Sequence, residues 1–285
     1  MTSLANRGQR KLAMDKPGAD TLFAGSIPEL YDRLFVPLIF QPYADDLARR
    51  VAALVPSRVL ETAAGTGVVT RAMVQALPAH VELIATDLNP PMLDRAAAVG
   101  TSRPVQWQQA DAMQLPFDDE CFDVVVCQFG AMFFPHKVHA FAQARRVLRP
   151  GGVLLFNVWD RIEDNELAAL VTATLADVFP GDPPRFMART PHGWFDKATI
   201  ARDLASAGFS SPPCIDTLTE RSRAPSALTA AMAYCQGTPL RTEIEARQGA
   251  TLAQATSACE TAIIKRFGAG QIDAKIQAHV VSVRR

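Results

Sequence analysis

Short apolar runs alternate with helix-period segments through the first half of the chain. Arg58–Thr62 is an apolar run that takes in Glu61 near its end, and Val68–Leu77 repeats apolar residues at helical spacing. Val81–Asp87 is a second run closing on an acid. Asn89-Pro90-Pro91 then opens a helix through Ala98, proline being tolerated in a first helical turn. Val105–Gln109 is a third, short run, leading into Ala110-Asp111-Ala112. Phe122–Gln128 is nearly continuous apolar, the pattern of a central strand covered on both faces. A helix over about His139–Leu148 is stopped by Arg149-Pro150-Gly151-Gly152, and Val153–Val158 reads as a fifth strand. The alternation predicts a doubly wound α/β sheet, mostly parallel, whose ligands bind beyond the carboxyl ends of the strands. Glu61, Asp87, Asp111 and Gln128 fall at or just past those ends, a convergence that packing does not explain.

The second half is patterned differently. Glu163–Phe179 has helical period and is broken by Pro180-Gly181-Asp182-Pro183-Pro184. A loop with Phe186, Met187, Trp194 and Phe195 follows, and Lys197–Ala207 predicts a helix closed by Gly208. Cys214–Arg223 and Lys275–Val283 have strand character, and the tail can pair back across helices at Ser226–Gln236 and Glu243–Phe267. The expected organisation is a flexible lead-in over residues 1–25 and one domain over 26–285, with substrate-cover segments at about 163–196 and 224–270.

The loop Glu61-Thr62-Ala63-Ala64-Gly65-Thr66-Gly67 carries the chemistry of the first strand end. Gly65 and Gly67 can take positive φ and admit a ligand close to the backbone, and the following helix presents N–H groups. The glycine spacing does not fit a dinucleotide fingerprint, which needs G-x-G-x-x-G/A, since Gly65-x-Gly67 is followed by Thr70. Glu61 would repel a pyrophosphate but suits a cation.

Charge narrows the partners. Lys+Arg and Asp+Glu number 29 each, so no global basic field attracts nucleic acid, and a nucleic-acid partner is not expected. No apolar run reaches the length of a membrane span, and Met1–Asp20 lacks the apolar stretch of a secretion signal. Cys121, Cys127, Cys214, Cys235 and Cys259 form no C-x-x-C and are odd in number, so a cytoplasmic protein with reduced thiols is expected. No histidine and carboxylate cluster demands a metal. The sequence leaves the oligomeric state open; a homodimer is one assembly it allows.

In order, the motifs are E-T-A-A-G-T-G from Glu61, T-D-L-N-P around Asp87, Q-A-D-A-x-x-L-P-F around Asp111, F-D-V-V-V-C-Q-F-G from Phe122 and R-V-L-R-P-G-G from Arg146. Over about residues 26–160 the chain resembles a class I S-adenosylmethionine (SAM)-dependent methyltransferase. It is most similar to the small-molecule branch that includes the ubiquinone and menaquinone biosynthesis methyltransferases. The resemblance implies a Rossmann-like, seven-stranded, doubly wound sheet, mostly parallel with an antiparallel last strand, plus a helical insertion. It implies methyl transfer to O, N or C of a small organic acceptor, with S-adenosylhomocysteine (SAH) as the other product. The Glu61 loop, with Ala63, Gly65 and Gly67, would hold the methionine part of SAM. Asp87 would bind the ribose hydroxyls, Leu88 and Met92 would contact the adenine, Asp111 and Ala112 would meet its edge, and Gln128 would lie beside the methionine part. Ala63 departs from the pattern, many members having glycine there.

Each of these residues also has a structural reading. Asp87 could cap the next helix, Asp111 could make a turn, Gln128 could satisfy backbone groups and Met92 could be core. His136, beyond the fourth strand, is a candidate general base, or a solvated residue in a helix first turn; His139 and His192 have the same standing. Tyr31 is a candidate to close over SAM, as an aromatic from this region does in similar methyltransferases, or it packs an N-terminal helix. Trp159, Phe186 and Trp194 could line an apolar acceptor pocket or belong to the core. The rival functions are a protein that holds SAM or SAH without turnover, a nucleotide-cofactor oxidoreductase and a nucleic-acid methyltransferase. The last lacks an Asn/Asp-Pro-Pro-aromatic run after the fourth strand, where Cys127-Gln128-Phe129-Gly130 stands instead.

Overall fold

A computed structural model describes Asp20, Gly25 and residues 27–285. The apolar runs become β1 (Arg58–Glu61), β2 (Glu82–Asp87), β3 (Gln106–Gln109), β4 (Phe122–Gln128), β5 (Leu148–Trp159), β6 (Cys214–Ala224) and β7 (Ile272–Arg284). They form one seven-stranded sheet in the order β3-β2-β1-β4-β5-β7-β6. β1 lies parallel between β2 and β4, with Leu60 opposite Ile84 and Val125. β7 runs antiparallel to both β5 and β6. The sheet is therefore mostly parallel, as the pattern predicts, with an antiparallel last strand, as the resemblance implies. β4 sits at the centre, where Val124, Val125 and Val126 are fully buried, and a β-branched run covered on both faces suits that place. β6 and β7 are joined through the predicted insertion.

Two boundaries differ from the sequence reading. The Arg149–Gly152 cluster stops the helix α5 (Lys137–Val147), but it does not lie outside the sheet. Leu148 already pairs with Phe122, and the Gly151 N–H donates to the Arg285 carbonyl, so β5 starts at Leu148 through an irregular, bulged segment. The expected helix over Glu243–Phe267 is two helices, Leu240–Glu245 and Leu252–Phe267. Gly249 takes φ 110°, and Thr251 with Gln254 forms a capping box that starts the second helix afresh.

The N-terminal region adds an element that the sequence reading did not resolve. A short α1 (Ile27–Leu30) runs into a π-helix (Tyr31–Phe40) and then α2 (Gln41–Ala53). Pro37 stands inside the π segment, where its missing N–H disrupts the ordinary ladder, and such widened turns are frequent at functional sites. Asp32 on this segment receives Arg71 from α3 (Val68–Ala76) and Arg95 from α4 (Pro90–Val99). Those pairs hold the π-helix over the carboxyl ends of β1 and β2. Of the expected lead-in, residues 1–19 and 21–24 lie outside the described residues; Asp20 pairs with Arg189 and Thr190. Among the described residues no helix is long and apolar enough to cross a membrane.

Candidate functional site

Beyond the carboxyl ends of the parallel strands the chain encloses a cavity of about 930 Å³. One half is polar and is built on β1, β2 and the segments after them. After Glu61 the backbone turns through Ala63 (φ 52°) and Gly65 (φ 56°) into α3. The Gly65 N–H donates to Asp87 Oδ2 at 2.8 Å, and the Asn89 N–H donates to Asp87 Oδ1 at 2.8 Å. Asp87 thus ties the loop to the start of α4 while lying on the cavity wall. Burial pushes its carboxyl pKa up, opposed by these two N–H bonds. A carboxylate has about four lone-pair sites, so acceptor capacity remains for a diol. Leu88, Met92, Asp111 and Ala112 complete this half. Asp111 Oδ1 accepts from the Met113 N–H at 2.8 Å, so the turn reading and the wall position hold together.

The other half is aromatic and stands over β4 and β5. Gln128 ends β4 on the wall, and its Oε1 accepts from Asn157 at 3.4 Å. The next residue, Phe129, takes φ 50°, and its N–H donates to Asn157 Oδ1 at 2.9 Å. Its ring stacks on Trp159 at 3.9 Å between centroids. Ala63 and Phe129 are thus left-handed without being glycine, and such strain gathers at ligand sites. Trp159 and Phe186 lie on this wall, and Tyr31 reaches the cavity from the π-helix. The Tyr31 hydroxyl pKa is raised by burial, with Asp87 and Asp32 adding to it. His136 also touches the cavity, but it is exposed at the rim as the residue capping α5. His139 is likewise exposed, whereas His192 is buried on the aromatic wall.

Three expected residues do not reach the cavity. Gly67 (φ 81°) serves packing: a Cβ there would stand 2.8 Å from Cη2 of Trp107. Trp194 donates from Nε1 to Asp203 at 3.1 Å and packs, half-buried, against Phe141 and Phe156 of the core beside the helix Lys197–Ser206. Glu61 is 2% exposed and sits behind the loop, accepting from the Thr70 hydroxyl. Burial pushes its carboxyl up to about 8, with Thr70 and Arg71 opposing and Asp87 reinforcing. The folded state therefore holds this proton more tightly than the unfolded chain. Its stabilising contribution is complete below the ordinary carboxyl range and is lost as pH rises through about 8. In urea unfolding followed across that window, the wild type is expected to lose stability relative to Glu61→Gln. Parallel pH curves for the two proteins would place the ionisation elsewhere.

Phe35, Phe40, Met132 and Tyr234 also stand on the wall, and the sequence pattern does not single them out. Only the hydrophobic stripe around Pro37 hinted at the first pair. Among the described residues no group of histidine, cysteine or carboxylate side chains could hold a metal.

Residues 60–156 match the family model described as a methyltransferase domain. The chain is 35% identical over 167 residues to a ubiquinone/menaquinone biosynthesis C-methyltransferase of Ectopseudomonas mendocina, covering 54% of this chain and 65% of that protein. It is 41% identical over 166 residues to the enzyme of the same description from Stutzerimonas stutzeri, with the same coverage. The chain thus spans 65% of the length of these curated relatives. A putative methyltransferase from Bacillus halodurans superposes with TM-score 0.53 and 21% identity, covering 84% of this chain and 97% of that one. The YcgJ protein of Bacillus subtilis gives TM-score 0.52 and 18% identity, covering 86% and 98%. These structures share the fold.

Proposed function

We propose that the chain is a class I, SAM-dependent methyltransferase, a reading supported by its match to a methyltransferase domain over residues 60–156 and its likeness to the ubiquinone/menaquinone C-methyltransferases, and that it methylates O, N or C of a small, partly apolar organic molecule. The observation that carries this reading is the cavity's two characters, a carboxylate-bearing half and an aromatic half joined at Gln128. Bound SAM supplies an electrophilic methyl group on a sulfonium and leaves as SAH. In this reading Asp87 accepts from the ribose hydroxyls. Leu88 and Met92 flank the adenine, and Asp111 and Ala112 meet its edge. Ala63, Gly65 and Gln128 border the methionine part, with Glu61 and Gly67 shaping the loop from behind. Tyr31 covers the site from the π-helix. Segments 163–196 and 224–270 form the acceptor cover, to which Phe186, Met187 and Tyr234 belong. The protein's work is alignment and exclusion of water, since methyl transfer is an in-line displacement. His136, at the exposed rim, has no step assigned to it.

The aromatic half favours transfer over mere storage of SAM, because it leaves room beside the cofactor half. The balanced charge supports a small molecule rather than a nucleic acid as acceptor, and the free cysteines suit a cytoplasmic setting. Calorimetric titration with SAM, SAH and NAD(H) tests the reading. Micromolar binding of both sulfur ligands and none of NAD(H) is expected; binding of NAD(H) alone would sink it.

A further inference from the structure

Most polar side chains around the aromatic half are consumed by the fold itself. Asn165 Nδ2 donates to the carbonyls of Asp160, Arg161 and Gln277, and its Oδ1 accepts from the Gln277 N–H. Thr238 Oγ1 donates to the Tyr234 carbonyl and accepts from the Leu240 N–H. The Tyr234 hydroxyl can donate or accept, so it makes no choice between ligand groups.

His192 is different. It is 5% exposed, lines the cavity, and places Nδ1 2.8 Å from the Asp160 carbonyl oxygen. A carbonyl oxygen only accepts, so Nδ1 carries the proton and Nε2 keeps its lone pair. No described residue bonds Nε2. The imidazole stands 6.0 Å from the Trp159 ring, which itself stacks on Phe129 next to Gln128. A lone acceptor nitrogen therefore sits in an aromatic wall beside the end of β4.

We propose that His192 determines acceptor specificity: its Nε2 accepts a hydrogen bond from an O–H or N–H group carried on an apolar body. The proposal rests on the methyltransferase reading and adds to it the chemistry of the acceptor. Burial pushes the His192 pKa down to about 4, so the ring stays neutral and accepting through the neutral range. A neutral ring is also the form compatible with a sulfonium bound in the same cavity. An acceptor molecule lacking a donor leaves a buried nitrogen unpaired, and sites built this way discriminate strongly.

The test uses the full chain loaded with SAH and two near-isosteric ligand pairs, 2-naphthol with 2-methylnaphthalene and indole with indene. Binding is read by isothermal titration calorimetry. The donor-bearing member of each pair is expected to bind at least about tenfold more tightly. His192→Asn keeps a donor for the Asp160 carbonyl and removes the Nε2 acceptor. It is expected to erase the preference while SAH affinity stays unchanged. Equal affinities within both pairs, binding of neither member, or a preference that survives His192→Asn overturns the proposal. Failure of the wild type to bind SAH overturns the SAM reading itself. If His192→Asn does not fold, histidine-labelled wild type gives the answer by ¹⁵N NMR. The Nε2 signal moves upfield with 2-naphthol and not with 2-methylnaphthalene; an unmoved signal overturns the proposal.

Discussion

Replacing Asp87 by alanine is expected to weaken binding of SAM and SAH by about 1.5–3 kcal/mol, the worth of hydrogen bonds to a charged group. Two losses combine. On the proposed reading the ribose loses its carboxylate acceptor, and the N–H groups of Gly65 and Asn89 lose the side chain that positions the loop and the start of α4. Asp87→Asn is expected to stay close to alanine in its effect. With its oxygen kept toward Asn89, the amide nitrogen faces the Gly65 N–H, donor against donor. Stability of the ligand-free protein falls less than affinity, because the substitution also removes a buried carboxyl whose pKa burial raises. Calorimetry with SAH, run beside thermal unfolding, separates the two effects. Unchanged affinity in a folded Asp87→Ala protein would remove Asp87 from the site.

The parallel core of the sheet was legible because β1, β2 and β4 are buried apolar runs of strand length, and each is followed by a helix-period segment. The carboxyl-end residues were legible for the same reason: the end of a run is visible in sequence. Side-chain direction beyond the strand end was not. Gly65 and Gly67 look equivalent in the chain, yet one faces Asp87 and the other faces Trp107, since the backbone rotates by a turn between them. Trp194 and His192 stand two positions apart in one loop, and the sequence leaves open which of them faces the cavity. The choice between them is made by Asp203 and by the Asp160 carbonyl, contacts that no local pattern encodes. The π-helix was not legible because Pro37 interrupts the 3.6-residue period on which helix reading depends. The break near Gly249 carried a signal, a Thr-x-x-Gln capping box at Thr251, that the surrounding helical periodicity masked.

A second large effect is expected at Gly130, and it involves Ala63 in the loop after β1. A Cβ at Gly130 would stand 2.4 Å from the Ala63 Cβ and 2.9 Å from Cys127 Sγ. Gly130 and Ala63 both border the cavity, so Gly130→Ala must push the Ala63 loop or the end of β4. Overpacking of this kind costs about 1–3 kcal/mol of stability, and SAH affinity is expected to fall with it because Gly65 moves with the loop. Ala63→Gly alone is expected to change stability by no more than about 1 kcal/mol. It relieves the left-handed φ of 52° but gives the unfolded chain more freedom. In the double variant the clash with Ala63 is gone, and only the polarizable Cys127 sulfur must yield. Most of the stability and affinity should return, giving a coupling of about 1–3 kcal/mol in a urea-unfolding cycle. Additive effects would mean that Gly130 is held by Cys127 alone. A coupled result would instead show that an alanine at position 63 is tolerated because the facing backbone gives up its side chain, which makes the pair one structural unit of the loop after β1.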